Sequence, residues 1–440
     1  MTMDKHDYYA GVFKRLERSF DHAGWVLGYG LELIKRGWDP DKLLVTVEPV
    51  DHLRSLAIDQ GLEVFIPVFG KNGSVMAPID YEIFLSHEGY KLYSDPGSQW
   101  HYHQRHIKPV TDFFETTLRS HQVPYFLDLT PSGGHILFHA EPGSNAYSAL
   151  ASIGWLEEEL VNAYAVEDPN DLKRNPPPGF EAGSVFSGIG RLWHYVSLQA
   201  KHAFLEDNLP VTICDSENKC VNLDNSWQAD AGYMRIMRAP FSLHAKNIHR
   251  FNMGETPLVD IAKTRFDGLT LTTFDDLEDL VRSMWNFERA IEHANAFDGS
   301  IPVVGDTILP LIEEYKKTRL CEFIERFDRT PTLGPGEALH RAHNDHRISW
   351  KTRDVLRIPY PRLLQPTNIK KFVHDLVIHC GWDPKHVGCL INDLYGQPQH
   401  HWKTDWNKYP SRTRANYWAR TYSSVILLEQ GEHLLQPRSA

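Results

Sequence analysis

The 440-residue chain is short of cysteine and has no long apolar run, no fixed-period repeat and no low-complexity tract. No stretch approaches the ~18 consecutive apolar residues of a membrane-spanning helix, so no membrane partner is expected. The start, Met1-Thr-Met-Asp-Lys-His6, lacks the charged-then-apolar layout of a secretion signal, which leaves a cytoplasmic, intracellular address as the expectation. The five cysteines (Cys214, Cys220, Cys321, Cys380, Cys389) are odd in number and widely spread, a pattern that argues against a disulfide framework and for reduced thiols. Neither the pair Cys214 and Cys220 nor the group Cys380, His386 and Cys389 beside His374 and His379 holds a Cys-x-x-Cys spacing, so buried thiols are favoured over zinc. A Gly-x-x-x-x-Gly-Lys-[Ser/Thr] loop is also missing, which excludes a P-loop nucleotide engine.

What is present is a soluble composition, 42% hydrophobic and 23% charged, with charge unevenly distributed. The net charge of −11 hides 14 Lys and Arg against 6 Asp and Glu over residues 338–420, while residues 1–337 hold 31 against 49. An acidic body thus carries a basic C-terminal module.

The opening reads β-α-β, with extended runs at 42–47 and 62–69 around a helical pattern at 50–60. Pro78 to Leu85 alternates apolar and acidic residues, which puts Asp80 and Glu82 on one face of a strand. A helix is expected over 110–120 and a strand over 123–129. The turn Pro131-Ser-Gly-Gly134 and a second strand at 135–139 follow. Helices are expected over 146–165 and 188–205, hairpin arms at 211–214 and 219–223, and an extended segment over 233–243, after which the β pattern stops. From Phe274 the periodicity is helical, interrupted by the linker-like Arg329-Thr-Pro-Thr-Leu-Gly-Pro-Gly336. The expected organisation is a core over 1–270, a helical connector over 271–330 and a basic helical domain over 337–440, an α+β chain.

Three stretches carry candidate chemistry. Thr130-Pro-Ser-Gly-Gly-His-Ile-Leu-Phe138 is a Gly-rich turn running into a strand that opens on a histidine. Such a turn exposes N–H groups to an anion, though it also serves as an ordinary tight turn. In Arg235-Ile-Met-Arg-Ala-Pro-Phe-Ser-Leu-His-Ala-Lys246, alternation puts Arg238, Ser242, His244 and Lys246 on one side, a clamp of triphosphate size or a basic edge strand. The acidic residues Asp80, Glu82 and Asp224, with Asp230 nearby, are of the type that converges on Mg2+ or Mn2+ in two-metal phosphoryl transfer, and equally of the type that lies on a solvated surface.

Taken together, these stretches resemble the archaeo-eukaryotic-type primase superfamily, especially the primase-polymerases of phages and plasmids. The resemblance rests on Thr130 to Phe138, on Arg238 to Lys246 and on Leu223-Asp224 between them, and spans roughly residues 78–250. It implies a catalytic core whose sheet is like an RNA-recognition motif. Asp80, Glu82 and Asp224 would be the catalytic metal carboxylates, Ser132, Gly134 and His135 the phosphate-binding motif, and Arg238, Ser242, His244 and Lys246 the triphosphate contacts. Ser132 and His135 stand one residue closer than the family pattern, which keeps His139 as an alternative, and Asp95 and Asp128 compete for the first carboxylate role.

In the basic module, Trp402, Trp406, Tyr409, Tyr417 and Trp418 are interleaved with Lys403, Lys408, Arg412, Arg414 and Arg420, which suits stacking on unpaired bases or, equally, the core of a small helical domain. The implied activity is a DNA primase or polymerase joining nucleoside triphosphates on a single-stranded DNA template, with unwinding left to a separate helicase. The alternative is a catalytically inactive relative that binds nucleic acid or nucleotides.

Overall fold

The computed structural model describes residues 4–29, 45–83, 95–157, 161, 179–205, 207, 209–215, 220–229, 236–244, 259–274, 276–357, 366–395 and 411–438. It is an α+β fold with two sheets. Helix α1 (Lys5–Arg18) opens on Asp4, whose carboxylate accepts from the N–H groups of His6 and Asp7. Strands β1 (Trp25–Tyr29), β2 (Val45–Pro49), β3 (Glu63–Pro67) and β9 (Ile236–Arg238) form the smaller sheet, in the order β2-β1-β3-β9. The larger sheet contains β4 (Val75–Ile83), β5 (Tyr125–Thr130), β6 (Gly133–Ala140), β7 (Val211–Ile213), β8 (Val221–Leu223), β10 (Ile261–Phe266) and β11 (Leu271–Thr273). Its order is β11-β10-β5-β6-β4-β8-β7.

Several sequence expectations are corrected. Helix α1 and strand β1 have no strong signature in the sequence, yet β1 lies between β2 and β3 and pairs antiparallel with both. The β pattern does not stop at residue 243, because β10 enters the larger sheet beside β5, with a bulge between Ala262 and Thr264. The arms expected to form a hairpin, β7 and β8, run parallel. The chain turns sharply at Cys214, whose φ of 53° is left-handed, and Thr212 and Asn222 hold the turn through the backbone of Asp215. Between β2 and β3 the expected helix is reduced to a 3-10 turn (Val50–His52) and a wide π-type turn (Ser55–Asp59).

One face of the larger sheet is covered by helices α2 (Pro96–Tyr102), α3 (Lys108–Ser120), α4 (Asn145–Ile153) and α5 (Phe180–Ala203), or by the turns between them. Tyr81 packs on Phe114 of α3 and Phe138 on Trp193 of α5, so the odd-numbered positions of β4 and the even-numbered ones of β6 face helices. The opposite positions, including Asp80, Glu82 and His135, are left to the other face. Gly133 is required for the approach of β4 to β6, because a Cβ there would sit 1.8 Å from the Tyr81 carbonyl oxygen.

Helices α6 (Leu277–Ser283), α7 (Phe287–Ala296), α8 (Leu309–Lys316) and α9 (Arg319–Arg329) extend the first apolar core. A second core, around Phe327, Ala338, Phe372, Trp382, Leu390 and Tyr422, is built by the end of α9 with α10 (Glu337–Asn344), α11 (Trp350–Arg357), α12 (Pro366–His374), α13 (Pro384–Tyr395) and α14 (Ser411–Glu429). Helix α14 contributes to both cores. Among the described residues, no helix is long and apolar enough to cross a membrane.

Burial holds several histidines neutral. It lowers His139 to about 3, with His22 adding to the effect, and lowers His194 to about 3, with Arg420 adding. Both ring nitrogens of His139 are buried without a hydrogen-bond partner. In the unfolded chain such a ring takes up a proton below about 6.5. The unfolded state therefore binds more protons than the folded state between about 6.5 and 3, and stability is lost as pH falls through that window. The variant His139→Leu removes this loss. In urea titrations at pH 7, 6 and 5, its stability relative to the wild type is expected to rise by about 2 kcal/mol in all, most of it below pH 6, where the slope approaches about 1.4 kcal/mol per pH unit.

Candidate active site

Pairing across three strands builds the site. Asp80 on β4 lies opposite His135 on β6, and His135 lies opposite Asp128 on β5. Directly opposed residues share a face, so the three form one row across the sheet. Asp224 extends that row beyond the end of β8, where its N–H donates to the Asp80 carbonyl at 2.8 Å. Its own carboxylate accepts from the Ser226 N–H at 2.8 Å, which fixes its direction. One step along β4, Glu82 meets the β5–β6 turn, and the Ser132 hydroxyl donates to Glu82 Oε2 at 3.4 Å.

Thus the structure brings together the expected Asp80, Glu82, Asp224, Ser132 and His135. Burial pushes the Asp80 carboxyl up to about 7, opposed by His135 and reinforced by Glu82 and Asp224. Asp80, Glu82 and Asp224 are three half-buried carboxylates on adjoining strands, of the hard oxygen type that Mg2+ or Mn2+ takes, but their oxygens do not gather within 4.8 Å of one another.

The competing candidates separate clearly. Asp95 is the N-cap of α2 and accepts from Ser98, away from the row. His139 stands at the far end of β6 with its ring against His22 and its backbone bonded to Pro302 and Val304. Asp128, by contrast, belongs to the row: it is fully buried, and its Oδ2 lies 3.1 Å from His135 Nδ1.

The turn that carries Ser132 is held from outside the sheet. Gln99 donates to the Pro131 carbonyl at 2.8 Å, the ring of His103 lies 3.2 Å from the same oxygen, and Trp285 in turn donates to Gln99. Gly134 has its Cβ space filled by the Tyr81 hydroxyl, 2.5 Å away, so this glycine serves the packing of neighbouring strands.

The second stretch is more deeply set than its sequence implied. Arg238, expected to face a triphosphate, points into the junction of the two sheets. Its Nε donates to Glu63 on β3 at 2.5 Å and its Nη1 to Asp260, just ahead of β10, at 3.1 Å. Glu63 and Asp260 are buried, at 2% and 0% exposure, and Arg238 is largely covered at 14%. Ser242 is likewise buried, its hydroxyl accepting from the Val64 N–H at 2.9 Å, while α1 holds the turn through Tyr8, which donates to the Phe241 carbonyl at 2.8 Å. Phe241 has a left-handed φ of 66°. His244 is buried beside this turn. Lys246, Asp230, Trp402, Lys403 and Trp406 lie outside the described residues, as does the side chain of Arg412; Arg414 is half-buried on α14.

Sequence reasoning missed Glu63 and Asp260. Asp260 sits in Val259-Asp-Ile-Ala262, a short β-branched run whose strand character was the available signal. Among the described residues, one group of three metal-ligating side chains has its atoms within 4.8 Å of one another, Asp128, His135 and Asp260; the expected trio Asp80, Glu82 and Asp224 does not form such a group, and no cysteine joins one. All five cysteines are free and buried.

No family model matches the chain, and no curated protein matches it. Among solved structures, it is similar to the polymerase domain from Mycobacterium tuberculosis Ligase D in complex with DNA, at 15% identity and a TM-score of 0.33, over 66% of this chain and 91% of that one. A likeness of that size carries no argument about the reaction, which must be read from the site.

Removing one partner from the junction leaves buried charge behind. Arg238→Met is expected to cost about 3–5 kcal/mol in urea denaturation, because Glu63 and Asp260 lose their shared cation. Arg238→Lys should recover only part, since a single ammonium does not span both carboxylates as the guanidinium does.

Proposed function

We propose that the chain is a DNA-directed nucleotidyltransferase of primase-polymerase type, joining nucleoside triphosphates on a single-stranded DNA template. What supports this reading is adjacency on one face of the sheet: Asp80 lies opposite His135, the Asp224 N–H bonds the Asp80 carbonyl and the Ser132 hydroxyl bonds Glu82, so residues from separate parts of the chain are neighbours. Their order along the sequence prompted the resemblance, and their adjacency in space is independent of that order.

In this reading, Asp80, Glu82 and Asp224 would hold two divalent cations, whose chemistry when bound would be activation of the attacking hydroxyl and neutralisation of phosphoryl charge. The chain's own residues do the positioning. Asp224 is fixed by the Ser226 N–H and Ser132 orients Glu82, while His135 presents Nε2 on the Asp80 side, 3.7 Å from Asp80 Oδ1, as a contact for the triphosphate. Since positioning and charge stabilisation supply most of the catalysis in phosphoryl transfer, a fixed carboxylate set is the central requirement. The basic residues of 338–420 give the C-terminal helices a role in holding template phosphates.

The test is nucleotide incorporation on single-stranded DNA with Mn2+ or Mg2+, with and without a primer. Wild-type protein is expected to incorporate nucleotide, and Asp224→Asn to lose about 10³-fold or more, equivalent to the several kcal/mol that a metal ligand supports. The unprimed reaction separates initiation from extension. Folded wild-type protein that binds single-stranded DNA without incorporation would replace the proposal with the inactive, nucleic-acid-binding relative.

A further inference from the structure

We propose that Asp128 is the positioning residue of His135, taking its Nδ1 so that Nε2 is the ring atom turned to the carboxylate site. The proposal rests on the nucleotidyl-transfer reading for what Nε2 faces, but not for the orientation itself.

The geometry assigns one ring nitrogen to each neighbouring strand. Nδ1 lies 3.1 Å from Asp128 Oδ2, within hydrogen-bond range, whereas Nε2 lies 3.7 Å from Asp80 Oδ1, beyond it. The Asp128 side is dry, with that side chain at 0% exposure and His135 at 8%. A hydrogen bond in such surroundings is stronger than one in water and costly to break. Rotation of the ring by half a turn would surrender it, so the ring is held in one orientation and Nε2 stays available to an incoming group.

Stability does not account for Asp128. Every residue of β5 is buried, and an apolar side chain at this position would pack without penalty. Instead the strand carries an acid whose second oxygen, Oδ1, is buried without a hydrogen-bond partner. One bond to a ring does not repay the desolvation of a carboxyl group. A costly buried group that orients a neighbour at the mouth of a site is the arrangement by which functional histidines are set, the far nitrogen deciding what the near one does.

Asp260 completes the network. It lies in the same group as Asp128 and His135, within 4.8 Å, and is bound by Arg238, which Glu63 also holds. The orientation of His135 is thereby backed by a fixed residue from each sheet. The same three side chains have the composition of a metal site, but the Arg238 guanidinium already occupies Asp260 at 3.1 Å, and a second cation beside it would be repelled. A hydrogen-bonded network is the better account, and a bound metal is the rival outcome.

The experiment uses the full chain labelled with 15N-histidine, with the His135 signals identified by their loss in His135→Gln. In the wild type, His135 is expected to show a single ring state with Nδ1 hydrogen-bonded, and EDTA is expected to leave Nδ1 in that state even where it shifts the Nε2 signal beside Asp80. Asp128→Asn, which keeps the size of the side chain, is expected to shift that state while holding or raising the urea midpoint. It should also weaken nucleotide incorporation about 10- to 100-fold, mostly through a higher KM for the nucleotide. A purely structural acid would give the opposite pattern, a lower midpoint with unchanged ring signals. Unchanged signals in Asp128→Asn, or a wild-type Nδ1 signal that EDTA converts to a different ring state, overturn the proposal. If Asp128→Asn does not fold, the wild-type signal still decides, because a ring exchanging between states contradicts it. Absence of incorporation by the wild type would defeat the reading of the reaction, while the ring signals would still decide the orientation of His135 by themselves.

Discussion

The buried ion triad of Glu63, Arg238 and Asp260 is the constraint on which the arrangement around the site depends. The two sheets share no strand, yet the guanidinium at the end of β9 in the smaller sheet is bonded to Asp260 at the start of β10 in the larger one. A charge network with no water to replace a lost partner tolerates little displacement, since any separation leaves a charge unpaired in a dry interior. Together with backbone bonds such as Met76 N–H to the Val68 carbonyl, the triad holds the smaller sheet against the larger one beside the row formed by Asp128, His135, Asp80 and Asp224.

Within this frame, the site consists of a line of opposed residues across neighbouring strands, with one helper above it. Antiparallel pairing of β4, β5 and β6 puts Asp80, His135 and Asp128 side by side, and the Asp224 N–H bond to the Asp80 carbonyl adds the last carboxylate. Such precision comes from the ladder of backbone hydrogen bonds, which sets side-chain spacing without help from loops. The turn carrying Ser132 is a loop element, and it is there that extra support accumulates, through Gln99, His103 and Trp285. The glycines of that turn, which suggested an open nest for an anion, are explained by the closeness of Tyr81.

Local pattern was enough to find the strand residues of the site. The alternation around Asp80 and Glu82 placed both on one face, and the hydrophobic run ending at Leu223 placed Asp224 at a strand terminus. The choice between His135 and His139 was not legible, because both belong to the same face of β6 and only the neighbours differ: carboxylates for one, the ring of His22 for the other. Nor was the burial of Arg238 legible. A strand bearing Arg, Ser and His reads as a solvated edge until its distant partners Glu63 and Asp260 are known. The parallel pairing of β7 and β8 was hidden for a related reason, since a left-handed Cys214 is a property of the folded chain and not of cysteine.

The position of β10 carries a consequence for how the molecule is made. Strand β5 spans Tyr125–Thr130, but its outer neighbour is Ile261–Phe266, so the edge of β5 stays unpaired until more than half the chain has been synthesised. Until then the N–H and C=O groups along that edge of β5 have no partner, the kind of edge that pairs with other copies. The segment that brings Asp260 to Arg238 is therefore also the one that closes the edge of β5.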